Sequence, residues 1–314
     1  MRAADERSTL CTRIHGGRLA AWTVRSSPPV GVGRHLRHSA ACRRVAITAA
    51  LHRPHGCAGR PTVNPIGTYD RGVPMSAPVL GEFGNLLAGL TWVSDPLVGG
   101  SLATGDYMPG VSDLDLVAVV DSPVDADRLS VIAALHRELD QGPGRGIKLG
   151  CIYVEASRLL NLDARHPTWT HGSLVHRALS RIARAELIGC GVIVFGRRPL
   201  DVLTAMSHDD VREAARVELT GKWAWTVRHP LMWLDPALAD LSLTPMARGR
   251  HTLRTGELLT KTRAVDEADA PAWLIDQMRA RRHGQGVTSP RLRMAVLAWQ
   301  DARRTVARAT RTPS

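Results

Sequence analysis

Asp113 and Asp115 stand at the head of an apolar run that continues through Leu116-Val117-Ala118-Val119-Val120. In a strand, side chains at i and i+2 share a face, roughly 7 Å apart along the chain. The two carboxylates would then project together while Leu114 turns into the core. Paired carboxylates are hard oxygen ligands of the kind Mg²⁺ takes together with substrate phosphates. Two metals about 4 Å apart can activate an attacking oxygen and stabilise a leaving one. About a dozen residues earlier, Gly99-Gly100-Ser101 closes another short apolar run. Glycines there let the backbone approach phosphate oxygens, and N–H groups at a following helix start attract an anion. The Ser101 hydroxyl can donate to one of those oxygens. Either motif alone is common on a solvated strand end or turn. Together, each against an apolar strand-like run, they point to a site for a nucleoside triphosphate and its metal.

The pattern around the motifs predicts the elements that carry them. Residues 80–93 read as a helix leading into a strand before Gly99, and 113–120 as a second strand. Residues 125–139 have helical periodicity through Leu129, Ile132, Leu135 and Leu139, and the Gly-Pro-Gly-Arg-Gly run at 142–146 ends it. Residues 148–155 form a third strand. Residues 161–172 read as a structured loop, 174–187 as a helix, and 192–195 as a short strand. From Ser207 onward, 208–226, 236–262, 271–283 and 289–309 read as helices punctuated by prolines. Ser207 with Asp210, and Ser289-Pro290, supply helix starts. The expected fold class is therefore an α/β (α+β) domain with a small mixed sheet over residues 75–200. An all-α helical domain over 201–314 follows it.

The 96–121 stretch resembles the Gly-Ser, spacer, Asp-x-Asp signature of the polymerase-β-like nucleotidyltransferase superfamily. It looks most like the aminoglycoside adenylyltransferases. Residues 185–199 are similar to the strand that precedes the helical domain of the streptomycin/spectinomycin-type enzymes. Residues 248–265 resemble that group's Arg…Thr-Gly…Lys segment, with Arg248, Thr255, Gly256 and Lys261 on the pattern and Arg250-His251 replacing its aromatic pair. The resemblance covers about residues 80–285. It implies Mg²⁺ and ATP at Asp113 and Asp115, with Gly99, Gly100 and Ser101 on the phosphates. The implied reaction moves AMP from ATP to a hydroxyl of a small, aminoglycoside-like polar acceptor and releases pyrophosphate. Alternatives within and outside the superfamily are a protein-modifying adenylyltransferase of the toxin–antitoxin type and a non-catalytic nucleotide-binding regulator. Lys261 also stands out by composition: the chain has 38 arginines and three lysines, at 148, 222 and 261. A compact ammonium suits a triphosphate.

The general base is the open part of the motif. The resembling enzymes carry a glutamate on a neighbouring strand, and Gly150 falls at its position. Glu155, further along the same strand, is the local substitute, although its parity places it on the other face. The segment with His166, Trp169 and His171 could line the acceptor pocket, Trp169 stacking a ring, or be a packed loop. Asp235 and Asp240 lie near where the resembling enzymes receive a cationic antibiotic. The five tryptophans from 223 onward read as core.

Composition narrows the partners. The formal net charge is +12, but residues 1–74 hold twelve arginines against three acids, and the remaining 240 residues carry 29 basic and 26 acidic groups. The near-neutral body offers no nucleic-acid face. Residues 1–74 are expected to be disordered or translated upstream sequence, with Met75 as the simpler start. No apolar run is long enough for a membrane span. Cys151 and Cys190 read as buried free thiols in a reducing cytoplasm.

Overall fold

The computed structural model describes residues 76–311, so the expectations for the leader and for a start at Met75 lie outside the described residues. Helix α1 (Ser76–Ala88) leads into strand β1 (Val93–Val98), a single-turn helix α2 (Gly100–Ala103) and strand β2 (Leu114–Val120). Helix α3 (Ala126–Gln141), strands β3 (Leu149–Glu155), β4 (Arg165–Thr170) and β5 (Ser173–Ala178), helix α4 (Arg181–Cys190) and strand β6 (Val192–Ile193) complete the sheet-bearing part. The six-stranded sheet runs β5-β4-β3-β2-β1-β6. Strands β2 and β3 pair in parallel and the other neighbours are antiparallel. Parallel pairing needs a crossover, and α3 supplies it.

Alternation in β2 sorts its side chains onto two faces. Leu114, Leu116, Ala118 and Val120 join Cys151 and Tyr153 of β3 beneath Phe83 of α1 and Ile132 of α3. Val117 and Val154 face the other way and pack with Leu187 of α4. Asp113 and Asp115 share the parity of Val117, so they belong to the α4 face. Within the first core lies a polar contact: His136 Nε2 and the Tyr153 hydroxyl are 2.9 Å apart. Burial holds His136 down to about 3, so it is neutral and acts as a core ring.

The region expected as loop and helix is instead a β-hairpin followed by a shorter helix. Arg165–Thr170 pairs with Ser173–Ala178, and His171-Gly172 forms a two-residue turn with φ of 49° and 71°. Both positive angles are what a tight type I′ hairpin turn demands. Helix α4 starts only at Arg181, where the Ser180 side chain accepts the Ala183 N–H. Of the two cysteines expected as buried thiols, Cys151 is buried and free. Cys190 is disulfide-bonded.

The second part is helical, as expected: α5 (Pro199–Val202), α6 (His208–Glu218), α7 (Ala224–Val227), α8 (Pro236–Thr255), α9 (Lys261–Asp266), α10 (Ala272–Arg282) and α11 (Arg291–Thr310). Ser207 and Asp210 form the capping box of α6. A π-helical turn, Leu219–Trp223, continues α6 into α7. Helix α8 stops at Thr255, short of the expected 262, because Gly256 adopts a left-handed φ of 77° and Thr260 caps a new helix. Trp223 and Trp233 are buried here, whereas Trp225 is exposed. Among the described residues no helix is long and apolar enough to cross a membrane.

A buried ion pair joins α8 to α11. Arg250 Nη1 donates to Asp301 Oδ1 at 2.5 Å and to Thr305 Oγ1 at 2.6 Å. Asp301 Oδ2 has no partner among the described residues. Burial pushes the Asp301 carboxyl up to about 6, although Arg250 draws it down. Between about pH 4 and 6 the folded chain therefore holds a proton here that the unfolded chain has lost. Stability falls as pH rises through that window. The shift of about two units corresponds to about 3 kcal/mol. Denaturant melts at pH 4 and 6.5 check this: wild type should lose about that amount relative to Asp301→Asn. Parallel pH profiles for the two proteins would refute it.

Candidate active site

The turn and the carboxylates are built as one unit. The Gly99 N–H donates to the Asp115 carbonyl at 2.8 Å, which ties the turn to β2. Gly100 has a φ of +59°, and a Cβ there would lie 2.3 Å from Asp115 Oδ2. The carboxylate thus occupies space that only a glycine leaves open. Ser101 is buried, and its hydroxyl has no partner among the described residues. A buried, unpartnered hydroxyl beside two carboxylates and a bare backbone turn fits a metal-bound phosphate. Among the described residues no three metal-ligating side chains cluster.

Two of the chain's three lysines flank this pair. Lys148 Nζ lies 3.9 Å from Asp113 Oδ1. Lys261, the first residue of α9, acts electrostatically on Asp115. The Asp115 carboxyl sits above its ordinary value. Local desolvation of the carboxyl raises it most, although Asp115 is an exposed residue of its strand, Lys261 opposes the rise, and Asp113 and Glu186 add to it. The structure thus brings Gly99, Gly100, Ser101, Asp113, Asp115 and Lys261 together. It also explains the Thr255-Gly256 part of the pattern: those residues end α8, so that a short turn can deliver Lys261.

Glu186 on α4 was not singled out in the sequence. Its neighbour Leu187 packs on Gly99, where an added Cβ would come within 3.3 Å of the Leu187 side chain. Glu186 Oε1 accepts from Arg248 Nη2 at 2.5 Å, and Arg248 Nε donates to the Leu259 carbonyl at 2.7 Å. This chain of contacts links α4, α8 and the segment ahead of Lys261. Nothing in the sequence around Glu186 marks it, because its role depends on which strand α4 packs against.

Other expected site residues are elsewhere. In the β2–β3 register Asp115 is opposite Gly150 and Glu155 is opposite Val120. Glu155 therefore sits five residues along the strand, about 17 Å away, and on the opposite face. Its carboxylate accepts from the Ser157 hydroxyl. It is not a base for this site. Gly150 does lie beside Asp115, and a Cβ there would meet only ordinary contacts. Trp169 pairs with Cys151, which places it on the face away from the carboxylates. Its ring stacks on His136 with centroids 5.1 Å apart, and its N–H donates to Asp140 at 3.1 Å. His166 is buried, with Arg158, Arg184 and Glu155 acting on it, toward the far end of the sheet. His171 is exposed on the hairpin turn at the carboxylate end, two strands from β2, or about 10 Å. Asp240 is ion-paired with Arg281 at 2.6 Å, and Asp235 caps α8 through the Ala237 N–H.

Gly100→Ala should force both a left-handed φ on a non-glycine residue and a displaced Asp115. The backbone strain alone costs about 1–2 kcal/mol. A thermal melt showing no loss of stability would mean that the turn is more adaptable than its geometry implies.

A family model described as a nucleotidyltransferase domain matches residues 91–161, which contain the turn and both carboxylates. No curated protein sequence matches the chain. Among solved structures, the spectinomycin adenyltransferase AAD(9) from Enterococcus faecialis, determined with ATP and spectinomycin, superimposes with a TM-score of 0.53 at 13% identity. The match covers 73% of this chain and 99% of that one, so it extends through the sheet into the helical part. Residues 91–161 therefore match a nucleotidyltransferase domain, carried in a fold similar to that of the spectinomycin adenyltransferase.

Proposed function

We propose that this nucleotidyltransferase moves AMP from ATP, with Mg²⁺, to a hydroxyl of a small polar molecule of aminocyclitol type, releasing pyrophosphate. The observation that carries the reading is the convergence of Lys261, from the helical half, on Asp115 beside the glycine turn. An ammonium brought close to the carboxylates and the phosphate turn has a purpose if a triphosphate lies between them. The fold match extends the reading, since the neighbour is by its name a spectinomycin adenyltransferase solved with ATP.

In this reading Gly100 and Ser101 bind the outer phosphates through a backbone N–H and a hydroxyl, and Lys261 neutralises their charge. Asp113 and Asp115 hold magnesium, which when bound offsets charge on the triphosphate and the departing pyrophosphate. The acceptor oxygen forms a bond to the α-phosphorus, and the bond from that phosphorus to the bridging oxygen breaks. Charge neutralisation and positioning supply most of the acceleration, as in other transfers at phosphorus. Glu186 takes the acceptor's proton. Asp113 and Glu186 are the two acids acting on Asp115, and Arg248 keeps the Glu186 carboxylate oriented. The acceptor would occupy the recess between α4, α6 and α8, which has Glu218, Trp223 and Arg248 in its wall.

Labelled ATP with Mg²⁺ and a panel of aminocyclitols, tRNA and cell lysate tests the reading. Label is expected on an aminocyclitol. Label only on a protein would favour the protein-modifying alternative, and MgATP binding without transfer would favour the regulator. Asp113→Asn and Asp115→Asn should each abolish turnover with circular dichroism unchanged; activity in either purified variant would sink the assignment. Glu186→Gln should lower kcat by roughly 10²–10⁴-fold while leaving MgATP binding within a few-fold. An unchanged kcat would remove Glu186 from the mechanism.

A further inference from the structure

The segment between the two motifs, residues 104–112, is fastened to the helical half by one arginine. Arg282, at the end of α10, and Asp106 are both nearly inaccessible to solvent and form an ion pair at 3.1 Å. Arg282 Nη1 also donates to Ser112 Oγ at 3.1 Å and its Nε to Thr262 Oγ1 at 3.2 Å. Its Nη2 reaches the Asp106 carbonyl as well. Asp106 Oδ2 in turn accepts the backbone N–H of Thr262 at 3.1 Å. The Asp106 N–H donates to the Ser101 carbonyl at 2.8 Å.

Each contact falls next to a residue of the site. Ser112 precedes Asp113. Thr262 follows Lys261. Asp106 is hydrogen-bonded to the residue that offers the phosphate hydroxyl. The guanidinium thus fixes three backbone points relative to one another: the turn, the carboxylate pair and the start of α9. Helix α9 has only six residues; Ala264 and Val265 bury its inner face in the helical core, and Lys261, its first residue, lies at the end that the clasp holds. We propose that Asp106 and Arg282 are positioning residues that set Lys261, through Thr262, against the phosphates of the nucleotide. The proposal rests on the nucleotide-binding part of the function given above. A buried Arg–Asp pair holds its geometry firmly, because moving either partner alone leaves an uncompensated charge out of water.

The clasp makes the effect of Asp106 on nucleotide affinity depend on Lys261. Direct MgATP titration of the full chain by calorimetry, with melting temperature recorded alongside, reads this without any acceptor. Lys261→Ala is expected to weaken MgATP binding by about tenfold or more, equivalent to about 1.4 kcal/mol. Asp106→Ala should weaken it by a similar factor. The Asp106→Ala/Lys261→Ala double variant should bind within about twofold of Lys261→Ala alone, since residues acting as a unit are not additive. Asp106→Asn keeps an acceptor for the Thr262 N–H and is expected to retain part of the affinity. It also serves if the alanine variant does not fold. A merely structural ion pair would lower the melting temperature but leave affinity unchanged, or give factors that multiply in the double variant. Either result overturns the proposal. Wild type that binds no MgATP would overturn the functional reading first, and this inference with it.

Discussion

The Gly99 N–H donates to the Asp115 carbonyl, and the Asp115 carboxylate fills the space where Gly100 lacks a side chain. Through these two contacts the glycine turn and the carboxylate strand cannot move independently. The left-handed φ of Gly100 makes the close approach affordable, and the buried even-numbered residues of β2 fix which face the aspartates take. The remaining elements are arranged around that unit. Strand β3 lies beside it in parallel, α4 covers its face, and the helical half brings cations to its mouth.

Those cations answer an electrostatic demand. Asp113 and Glu186 act electrostatically on Asp115, and desolvation together with that repulsion raises the Asp115 carboxyl. Lys148 from the start of β3, Arg248 from α8 and Lys261 from α9 come from three separate parts of the chain. Like charges so close are costly unless countered, so the helical half is electrostatically part of the site. The Asp106–Arg282 pair then ties that half to the loop between the motifs.

Much of this was legible one element at a time. Apolar runs marked β2 and β3, a capping box found the start of α6, Ser289-Pro290 marked that of α11, and the scarcity of lysine drew attention to Lys261. Three of the misplaced site residues share a cause. Trp169, His166 and Glu155 carry side chains suited to chemistry and lie on or close in sequence to the third strand, but strand register sends them to the core face or the far end. The His171-Gly172 turn was missed because a non-glycine residue occupies a left-handed position there. Glu186, Asp106 and Arg282 escaped notice because each is an ordinary charged residue in its local context.

The sequence by itself determined that two carboxylates share a strand face and that a glycine turn precedes them. Both follow from backbone geometry, which acts over a few residues and leaves a readable period. Only the tertiary structure decided which other charges meet that pair. Register chose Gly150 rather than Glu155 as the neighbour of Asp115, helix packing brought Glu186 to the turn, and a buried ion pair fixed the start of α9. Such contacts join residues far apart in the chain, and their energies depend on burial and distance, which no local pattern encodes.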